Sequence, residues 1–306
     1  MKILVTGSNG LVGHAVVESL QKSSHELLTP SHSELDLLNR HAVRDYLQKN
    51  HPDFVIHSAG TVGGIMVNRK FHTRYMLDNL DMGRNIIFES FQAGVKNLIN
   101  LGSSCMYPRD SEKPLTEEMI LTGELEPTNE GYALAKIMCA RLCDYISREN
   151  PDCHYKTVIP CNLYGRWDKF KTENAHMLPQ VIHRIHTAKV ENQSSISIWG
   201  SGQAKREFLY AGDLGDLIAY CVENFERMPT YLNAGSGVDF TIDHYYKIVA
   251  EVVGYKGTFE HDLSKPEGMQ KKLTDISKLK SFGWTAKTDL KTGIEQTYEF
   301  YLHSGK

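Results

Sequence analysis

No part of this 306-residue chain approaches the run of about 18 apolar residues that a membrane-spanning helix needs. A strand-like segment begins at Lys2, so no long apolar h-region of a signal peptide follows Met1. The charge is nearly balanced, with 34 Lys and Arg residues, 37 Asp and Glu residues and a net charge of -3. A chain without a basic excess is not expected to bind nucleic acid or an anionic membrane. We therefore expect a cytoplasmic protein with neither as a partner.

Regular cysteine spacing is also missing. The chain has no Cys-x-x-Cys pair and no disulfide framework. Its six cysteines are Cys105, Cys139, Cys143, Cys153, Cys161 and Cys221. We predict that most are small buried side chains, with Cys105 as the exception. The histidines, among them His57, His183 and His186, show no metal-like grouping, so we predict no metal site.

Apolar runs of strand length alternate with amphipathic runs of helix length in the first half of the chain. Strands are predicted near residues 3–6, 26–29, 53–57, 97–101 and 157–160, and helices near 11–21, 41–49, 74–93 and 131–148. Such alternation predicts a parallel sheet with helices on both faces. The hydrophobic fraction of 41% is enough to bury one large core or two unequal ones.

The rhythm of the pattern changes after Gly165. Helices are predicted near 177–188 and 214–223, a strand at 195–199, and turn-rich segments around Gly200 and Pro266. This change predicts a second, smaller region that covers a substrate bound on the first.

A glycine-rich segment directly follows the first predicted strand. Its residues are Gly7, Ser8, Asn9, Gly10, Leu11, Val12 and Gly13. The spacing is Gly-x-x-Gly-x-x-Gly, and a helical pattern begins within it. Glycines let the backbone approach a pyrophosphate, whose charge is favoured by the free N–H groups at a helix N-terminus. The segment therefore predicts a dinucleotide site; glycines that serve only a tight turn are the alternative.

Tyr132 and Lys136 are four residues apart on a predicted helix and therefore share one face. A nearby ammonium favours the phenolate, so we expect Lys136 to lower the pKa of Tyr132 toward the working range of an acid–base catalyst. The spacing alone is common, and a helix with one buried and one solvated residue would show it as well. Beside the glycine-rich segment it suggests nicotinamide chemistry at a carbonyl group.

The end of the second predicted strand bears on coenzyme choice. NAD-binding folds usually place an acid there to bind the ribose 2′-hydroxyl, and that acid repels a 2′-phosphate. Here the strand ends in Pro30, Ser31 and His32, with no acid at its tip. The sequence therefore favours NADPH.

Several longer motifs resemble one family of enzymes. They are Val-Gly-Gly-Ile at 62–65, Leu-Gly-Ser-Ser-Cys-Met-Tyr-Pro at 101–108, Leu-Glu-Pro-Thr-Asn-Glu at 125–130, Asn-Leu-Tyr-Gly at 162–165, Trp-Gly-Ser-Gly at 199–202, Arg-Glu-Phe-Leu at 206–209 and Val-Gly-Tyr-Lys-Gly at 253–257. Together with the glycine-rich segment and the Tyr132–Lys136 pair, they make the chain resemble an extended short-chain dehydrogenase/reductase. Within that family it is similar, nearly end to end, to the GDP-4-keto-6-deoxymannose epimerase-reductases.

This resemblance implies a Rossmann-type, doubly wound parallel sheet over residues 1–165, with a return strand near 231–234, and a smaller substrate-binding α+β domain over 166–306. It implies NADPH-dependent 3,5-epimerisation and 4-reduction of GDP-4-keto-6-deoxy-D-mannose to GDP-L-fucose. It also implies a homodimer formed through the helices near 74–93 and 131–148. The chain departs from the family at Asn9 and His32, where arginines often bind the 2′-phosphate, so discrimination between NADPH and NADH is expected to be weaker.

The resemblance further implies which residues bind the coenzyme. Besides the glycine-rich segment and His32, they are Asp36 and Leu37 near the adenine, and Leu101, Gly102, Ser103, Ser104, Tyr132, Lys136, Pro160, Cys161, Asn162, Leu163 and His176 toward the nicotinamide.

Two sets of catalytic residues are expected. For reduction, Tyr132 would donate a proton to the ketone oxygen, Ser103 would hydrogen-bond that oxygen, with Ser104 as the alternative, and Lys136 would hold the ribose. For epimerisation, the family pair corresponds to Cys105 and His176, and a thiol and an imidazole can both exchange protons near neutral pH. Without the resemblance, Cys105 reads as a packing residue and His176 as a helix cap.

The family's GDP-sugar contacts correspond to Arg184, Trp199, Arg206 and Lys265. Cations suit a pyrophosphate and a flat ring suits a base or sugar. Two alternatives stay open. The substrate could be another 4-keto GDP-sugar, a 3,6-dideoxy (colitose-type) or 6-deoxyheptose derivative, reduced with or without epimerisation; or the chain could be a dinucleotide-sensing protein without catalysis.

Overall fold

The computed structural model describes residues 1–171, 175–265 and 269–304. Its strands are β1 (Lys2–Thr6), β2 (Glu26–Leu28), β3 (Phe54–His57), β4 (Asn97–Leu101), β5 (His154–Pro160), β6 (Asn162–Tyr164), β7 (Ser195–Trp199), β8 (Lys205–Tyr210), β9 (Tyr231–Ala234), β10 (Asp239–Thr241), β11 (Thr258–Asp262) and β12 (Lys271–Lys272). Its helices are α1 (Leu11–Leu20), α2 (Arg40–Asn50), α3 (Ile65–Lys70), α4 (His72–Gln92), α5 (Glu130–Glu149), α6 (Met177–Val190), α7 (Ala211–Glu223), α8 (Ile242–Val253), α9 (Ser277–Phe282) and α10 (Leu290–His303).

The main sheet is parallel throughout, in the order β2-β1-β3-β4-β5-β9. Side chains alternate between its faces, because successive residues of a strand point to opposite sides. Ile3 and Val5 pack in one core with α1 and α7, whereas Leu4 packs in another with α2, α4 and α5. The predicted doubly wound α/β fold with helices on both faces is therefore confirmed. The return of residues 231–234 to this sheet is confirmed as well.

The second region is built around β8, which pairs with β6, β10 and β12. A separate core lies between α6, α8 and α10, and β7 pairs with β11. The strand predicted at 195–199 and the helices near 177–188 and 214–223 are confirmed. The sequence patterns did not predict β8, α8 or α10. The turn-rich segment predicted around Pro266 includes residues outside the described part of the chain.

Among the described residues, no helix combines the length and apolar character needed to cross a membrane. The same part of the chain contains no group of three or more His, Cys, Asp or Glu side chains placed to hold a metal ion. Of the cysteines, Cys105 is partly exposed and the other five are buried, as predicted.

His57, at the carboxyl end of β3, is buried. Its Nδ1 lies 2.9 Å from Oγ1 of Thr6 on β1. Burial, aided by the charge of Lys136, lowers the pKa of His57 to about 3. The imidazole is therefore neutral at physiological pH, and it joins the ends of two adjacent strands next to the candidate site.

This burial predicts acid sensitivity. An unfolded chain binds a proton at His57 below its ordinary pKa of about 6.5, whereas the folded chain does so only near pH 3, so stability is present above pH 6.5 and falls as the pH drops through this window. We expect His57→Gln to reduce the loss of unfolding free energy between pH 7 and pH 5 by about 2 kcal/mol. Urea unfolding at the two pH values measures it, and an equal loss in both proteins would contradict the assignment.

Candidate active site

The glycine-rich segment connects β1 to α1 in a turn that only glycine can form at two positions. Gly7 has a φ of 69°, and a Cβ there would lie 2.6 Å from Cα of Ala59. A Cβ on Gly13 would lie 2.0 Å from the carbonyl oxygen of Gly7. Gly10 precedes the first residue of α1 and donates its N–H to Gly7 O over 3.0 Å. The bare backbone and the helix N-terminus fit a pyrophosphate.

The loop after β2 contains an acid that the sequence reasoning did not place there. Glu34 folds back and accepts hydrogen bonds from the N–H and Oγ of Ser31, at 2.8 and 2.7 Å. The Ser-x-x-Glu spacing in the sequence is a signal that could have located the carboxylate, although only the bond to the Ser31 N–H matches a capping box. His32 lies between them and is exposed. The tip of β2 therefore combines a histidine with a carboxylate that is already hydrogen-bonded.

The next residues of this loop are held by α4. Asp36 accepts a hydrogen bond from the N–H of Leu38 at 3.0 Å, and Leu37 is buried. The buried Asn85 of α4 donates Nδ2 to the carbonyls of Leu37 and Leu38, at 2.9 and 3.3 Å. The sequence reasoning missed Asn85, because it is remote in sequence from the loop that it holds.

Lys136 joins α5 to the end of β4. Its buried ammonium donates a hydrogen bond to the carbonyl oxygen of Leu101 over 2.9 Å and lies 5.9 Å from the centre of the Tyr132 ring. Burial lowers the pKa of Lys136. A Cβ on Gly60 would lie 3.7 Å from this ammonium, so the loop after β3 also packs close to the Lys136 side chain.

Tyr132 lies on α5, and the Ser103 hydroxyl is close enough to its phenol to affect the pKa of Tyr132. Ser104 is buried, so the structure places Ser103 rather than Ser104 at the phenol. The expectation that Lys136 lowers the pKa of Tyr132 is wrong for this structure. Burial raises that pKa, the charge of Cys105 raises it further, and the nearby Ser103 hydroxyl opposes the rise only in part. The phenol is therefore protonated at neutral pH.

Cys105 lies in a short 3-10 turn, Ser104–Met106, directly after Ser103. Oγ of Ser103 accepts the N–H of Cys105 over 3.3 Å, which fixes the turn. The sulfur accepts a hydrogen bond from Nδ2 of Asn129 at 3.2 Å, and Nζ of Lys272 lies 3.8 Å from it. A hydrogen-bond donor and a cation therefore both face this sulfur. Neither Asn129 nor Lys272 was singled out from the sequence.

His176 precedes the first residue of α6, and its side chain does not cap that helix. Burial and the charge of Lys169 lower its pKa, so the imidazole is neutral at physiological pH. Among the described residues, no hydrogen bond joins His176 to Cys105. The structure therefore places the two expected epimerase residues on different elements.

The segment that leaves β5 links the two regions. The N–H of Cys161 donates to Ala234 O at 2.9 Å, next to the end of β5 at Pro160. Nδ2 of Asn162 donates to the carbonyl oxygen of Glu207 at 2.8 Å, and Leu163 pairs with Leu209 in the adjacent strand. Residues 160–163 thus pass from the main sheet to the second one.

The residues expected to contact a GDP-sugar fall into separate groups. Nζ of Lys265 lies 5.8 Å from the centre of the Trp199 ring, and Trp199 is half exposed, as a stacking surface requires. Arg184 is engaged within the protein, because its guanidinium donates to the Tyr246 hydroxyl and to Ser197 O. As it stands, Arg184 therefore contributes mainly to the packing of α6 on its neighbours.

Arg206 lies opposite Lys272 in the pairing of β8 with β12. Burial lowers the pKa of the Arg206 guanidinium, whereas the charge of Glu126 raises it. Nζ of Lys272 is the cation of this strand pair that reaches Cys105. The basic side chains of this strand pair suit an anionic substrate. Glu126 was missed as well, since only the fold brings it near β8.

A cavity of about 620 Å³ lies beside the turn Pro127–Asn129. It is lined by His72, Arg109, Glu126, Pro127 and Thr128. None of the expected catalytic residues lines it.

The arrangement supports two kinds of proton transfer within one turn. The Ser103 and Tyr132 hydroxyls can hydrogen-bond one carbonyl oxygen, and the phenol can protonate it. The Cys105 thiol, two residues after Ser103, can exchange a proton at a neighbouring carbon. Such a site suits a ketone whose adjacent carbon carries an acidic hydrogen.

Comparisons with known proteins agree with this chemistry. Residues 3–235 match the NAD dependent epimerase/dehydratase family. GDP-L-colitose synthase of Yersinia pseudotuberculosis is 50% identical over 99% of this chain and 98% of that protein. GDP-L-fucose synthase of Azorhizobium caulinodans is 43% identical over 98% and 96%. The structure of a GDP-D-glycero-L-gluco-heptose synthase from Campylobacter jejuni, determined in the presence of NADPH, is 30% identical, with a TM-score of 0.91 over 98% of each chain. The chain belongs to the NAD dependent epimerase/dehydratase family.

Proposed function

We propose that this enzyme uses NADPH to epimerise GDP-4-keto-6-deoxy-D-mannose at C3 and C5 and to reduce it at C4, giving GDP-L-fucose. The observation that carries the proposal is the position of Cys105 two residues after Ser103, whose hydroxyl lies near the Tyr132 phenol. A simple reductase needs only the hydroxyl pair, whereas a polarised thiol beside it supplies a base for the adjacent carbon. The similarity to a GDP-L-fucose synthase at 43% identity supports the same reaction.

Reduction in this proposal uses the hydroxyl pair and Lys136. NADPH, when bound, supplies the hydride. Ser103 hydrogen-bonds the C4 ketone oxygen, and Tyr132 gives that oxygen a proton. The raised pKa of Tyr132 keeps the phenol protonated until this transfer. Lys136 positions the ribose from its bond to Leu101 O. The coenzyme would lie along the glycine-rich segment, the loop at 36–38 and residues 101–104 and 160–163.

Epimerisation precedes reduction, because only the ketone makes its neighbouring hydrogens acidic. Cys105 takes a proton from C3 or C5 while Ser103 and Tyr132 stabilise the enolate oxygen. His176, on the other element, returns a proton to the opposite face. Its neutral imidazole would first have to gain that proton from solvent, since its pKa is lowered.

Substrate binding is assigned to residues 166–306 and coenzyme binding to residues 1–165 with the return strand at 231–234. Arg206, Lys265 and Trp199 would contact the GDP moiety, and Arg184 would do so after releasing its internal partners. A homodimer is proposed through α4 and α5, which pack together and expose Leu77 and Met138. We place the enzyme in the cytoplasm.

A second candidate is supported by the 50% identity to a GDP-L-colitose synthase. That function would use a 3,6-dideoxy substrate, in which C3 carries no hydroxyl and only C5 needs inversion. The hydroxyl pair and the thiol serve both reactions equally. The two functions therefore differ in whether the site accepts a hydroxyl group on C3. Only an assay with substrates that differ at C3 distinguishes them.

A substrate panel tests the proposal. We expect NADPH consumption and an inverted product with GDP-4-keto-6-deoxy-D-mannose, at a higher kcat/KM than with its 3-deoxy or 6-deoxyheptose analogue. Product stereochemistry by NMR identifies the inversion. Turnover of the 3-deoxy analogue alone would replace the proposal with the colitose-type function, and lack of turnover with every keto-sugar would refute it.

Two substitutions separate the half-reactions. Cys105→Ser is expected to keep reduction but to lose inversion and deuterium uptake at C3 and C5 in D₂O, because a serine hydroxyl is too weak an acid and base near pH 7.

Tyr132→Phe is expected to lower the rate of reduction by a hundredfold or more, on the order of the contribution of one general acid, while coenzyme still binds. Cys153→Ala, at a buried cysteine away from the site, is the matched control. Full inversion by Cys105→Ser would remove the thiol from the mechanism.

Coenzyme choice gives a further prediction. We expect a higher kcat/KM with NADPH than with NADH, and His32→Gln should lower the NADPH value by about threefold, as an exposed charge contact contributes. The NADH value should stay unchanged, because NADH lacks the 2′-phosphate. His154→Gln, at the opposite end of β5, is the control. Equal kcat/KM values for the two coenzymes in the unaltered enzyme would show that the β2 loop provides no phosphate site.

A further inference from the structure

Asn129 is at the N-cap position of α5 but does not cap the helix. Its side chain accepts no backbone N–H of the first turn. Asparagine is among the preferred N-cap residues, because its oxygen satisfies a free N–H group there. In the same chain Asn39 caps α2 in this way, accepting from His41 and Ala42 at 3.0 and 3.2 Å. At α5 the asparagine side chain is instead turned toward another partner.

The two amide atoms of Asn129 are used unequally. Nδ2 donates to the sulfur of Cys105 at 3.2 Å, whereas Oδ1 is buried and has no hydrogen-bond partner. A buried acceptor without a partner destabilises a fold. If the amide were turned over, its NH₂ group would occupy the buried position of Oδ1 and would lack a hydrogen-bond partner there in the same way. An arrangement that gives up local stability in this way is typical of a functional site.

We propose that Asn129 is a positioning residue whose hydrogen bond holds the Cys105 sulfur ready to take a proton from the carbon beside the ketone. An N–H donor stabilises a negatively charged sulfur more than a neutral thiol, because the hydrogen bond is then charge-assisted. The 3-10 turn that contains Cys105 packs on α5, so the start of the helix fixes the donor relative to the sulfur. The role in catalysis rests on the proposed function; the effect on the thiol does not.

Other titratable groups face the same sulfur. Lys272 on β12 approaches it to 3.8 Å, and the phenol of Tyr132 on α5 is affected by its charge. Lys272 acts as a cation at the limit of contact distance, whereas Asn129 provides the shorter, directed bond. Negative charge on the sulfur also helps to keep Tyr132 protonated. Asn129 therefore supports the phenol indirectly, through the charge on Cys105.

The test measures alkylation of Cys105 by iodoacetamide as a function of pH. Asn129→Leu removes the donor and keeps the branched shape of the side chain, and Asn129→Asp replaces the donor by an acceptor that can cap α5. We expect both to react about tenfold more slowly than the unaltered enzyme at pH 7, with profiles displaced to higher pH. Cys105→Ser gives the background rate of the buried cysteines.

Asn39→Leu is the matched control, because it removes an asparagine that does cap its helix. Asn39→Leu should lower the melting temperature by about 2 °C without slowing alkylation of Cys105. Asn129→Leu should slow this alkylation without lowering the melting temperature. Unchanged alkylation in both Asn129 variants, or a loss of stability in Asn129→Leu as large as in Asn39→Leu, would overturn the proposal.

Deuterium exchange separates this proposal from the proposed function. With GDP-4-keto-6-deoxy-D-mannose in D₂O, Asn129→Leu should exchange C3 and C5 hydrogens about tenfold more slowly, in proportion to its alkylation rate. If alkylation slows but even the unaltered enzyme exchanges no hydrogen, the epimerase function fails while the effect of Asn129 on the thiol stands. If alkylation slows and exchange does not, the positioning role is refuted.

Discussion

The hydrogen bond from Lys136 to the carbonyl oxygen of Leu101 is the contact on which the site geometry depends. An ammonium buried without an acceptor would be costly, so the folded state favours the one position of α5 that satisfies it. That position places Tyr132, one helical turn earlier, beside Ser103, which follows the end of β4. The parallel sheet supplies the fixed point, because the carboxyl ends of β3, β4 and β5 lie at the same edge.

Burial then determines what each group can do. Desolvation raises the pKa of Tyr132, so the phenol keeps its proton and suits donation to a ketone oxygen being reduced. Cys105 is partly exposed, and a donor and a cation face its sulfur. The two groups also influence each other, since negative charge on the sulfur favours the neutral phenol. A sulfur that can take a proton and a phenol that can give one are the two groups that proton removal followed by reduction requires.

The sequence predicted the main sheet well and the second region poorly, for physical reasons. Strands buried on both faces are read directly as apolar runs, as in β1 and β4, and the glycine positions follow from backbone geometry. By contrast, Lys272 lies in a polar strand of two residues, and only its pairing with β8 brings it to Cys105. The pKa of Tyr132 was predicted in the wrong direction, because four-residue spacing reveals the nearby ammonium but not the extent of burial.

The short turn after β4 explains how one site can serve two reactions. The ketone oxygen and the adjacent acidic carbon of a sugar are separated by two bonds, so the groups that act on them must lie within a few ångströms of each other. Ser103 and Cys105 meet this requirement because the serine hydroxyl accepts the cysteine N–H and holds both side chains on one 3-10 turn. In the proposed reaction, the oxygen held by Ser103 during proton exchange is the same atom that Tyr132 later protonates. The substrate therefore need not leave the carbonyl site between the two steps; for inversion at both carbons, only the sugar ring has to present C3 and C5 in turn to the same thiol.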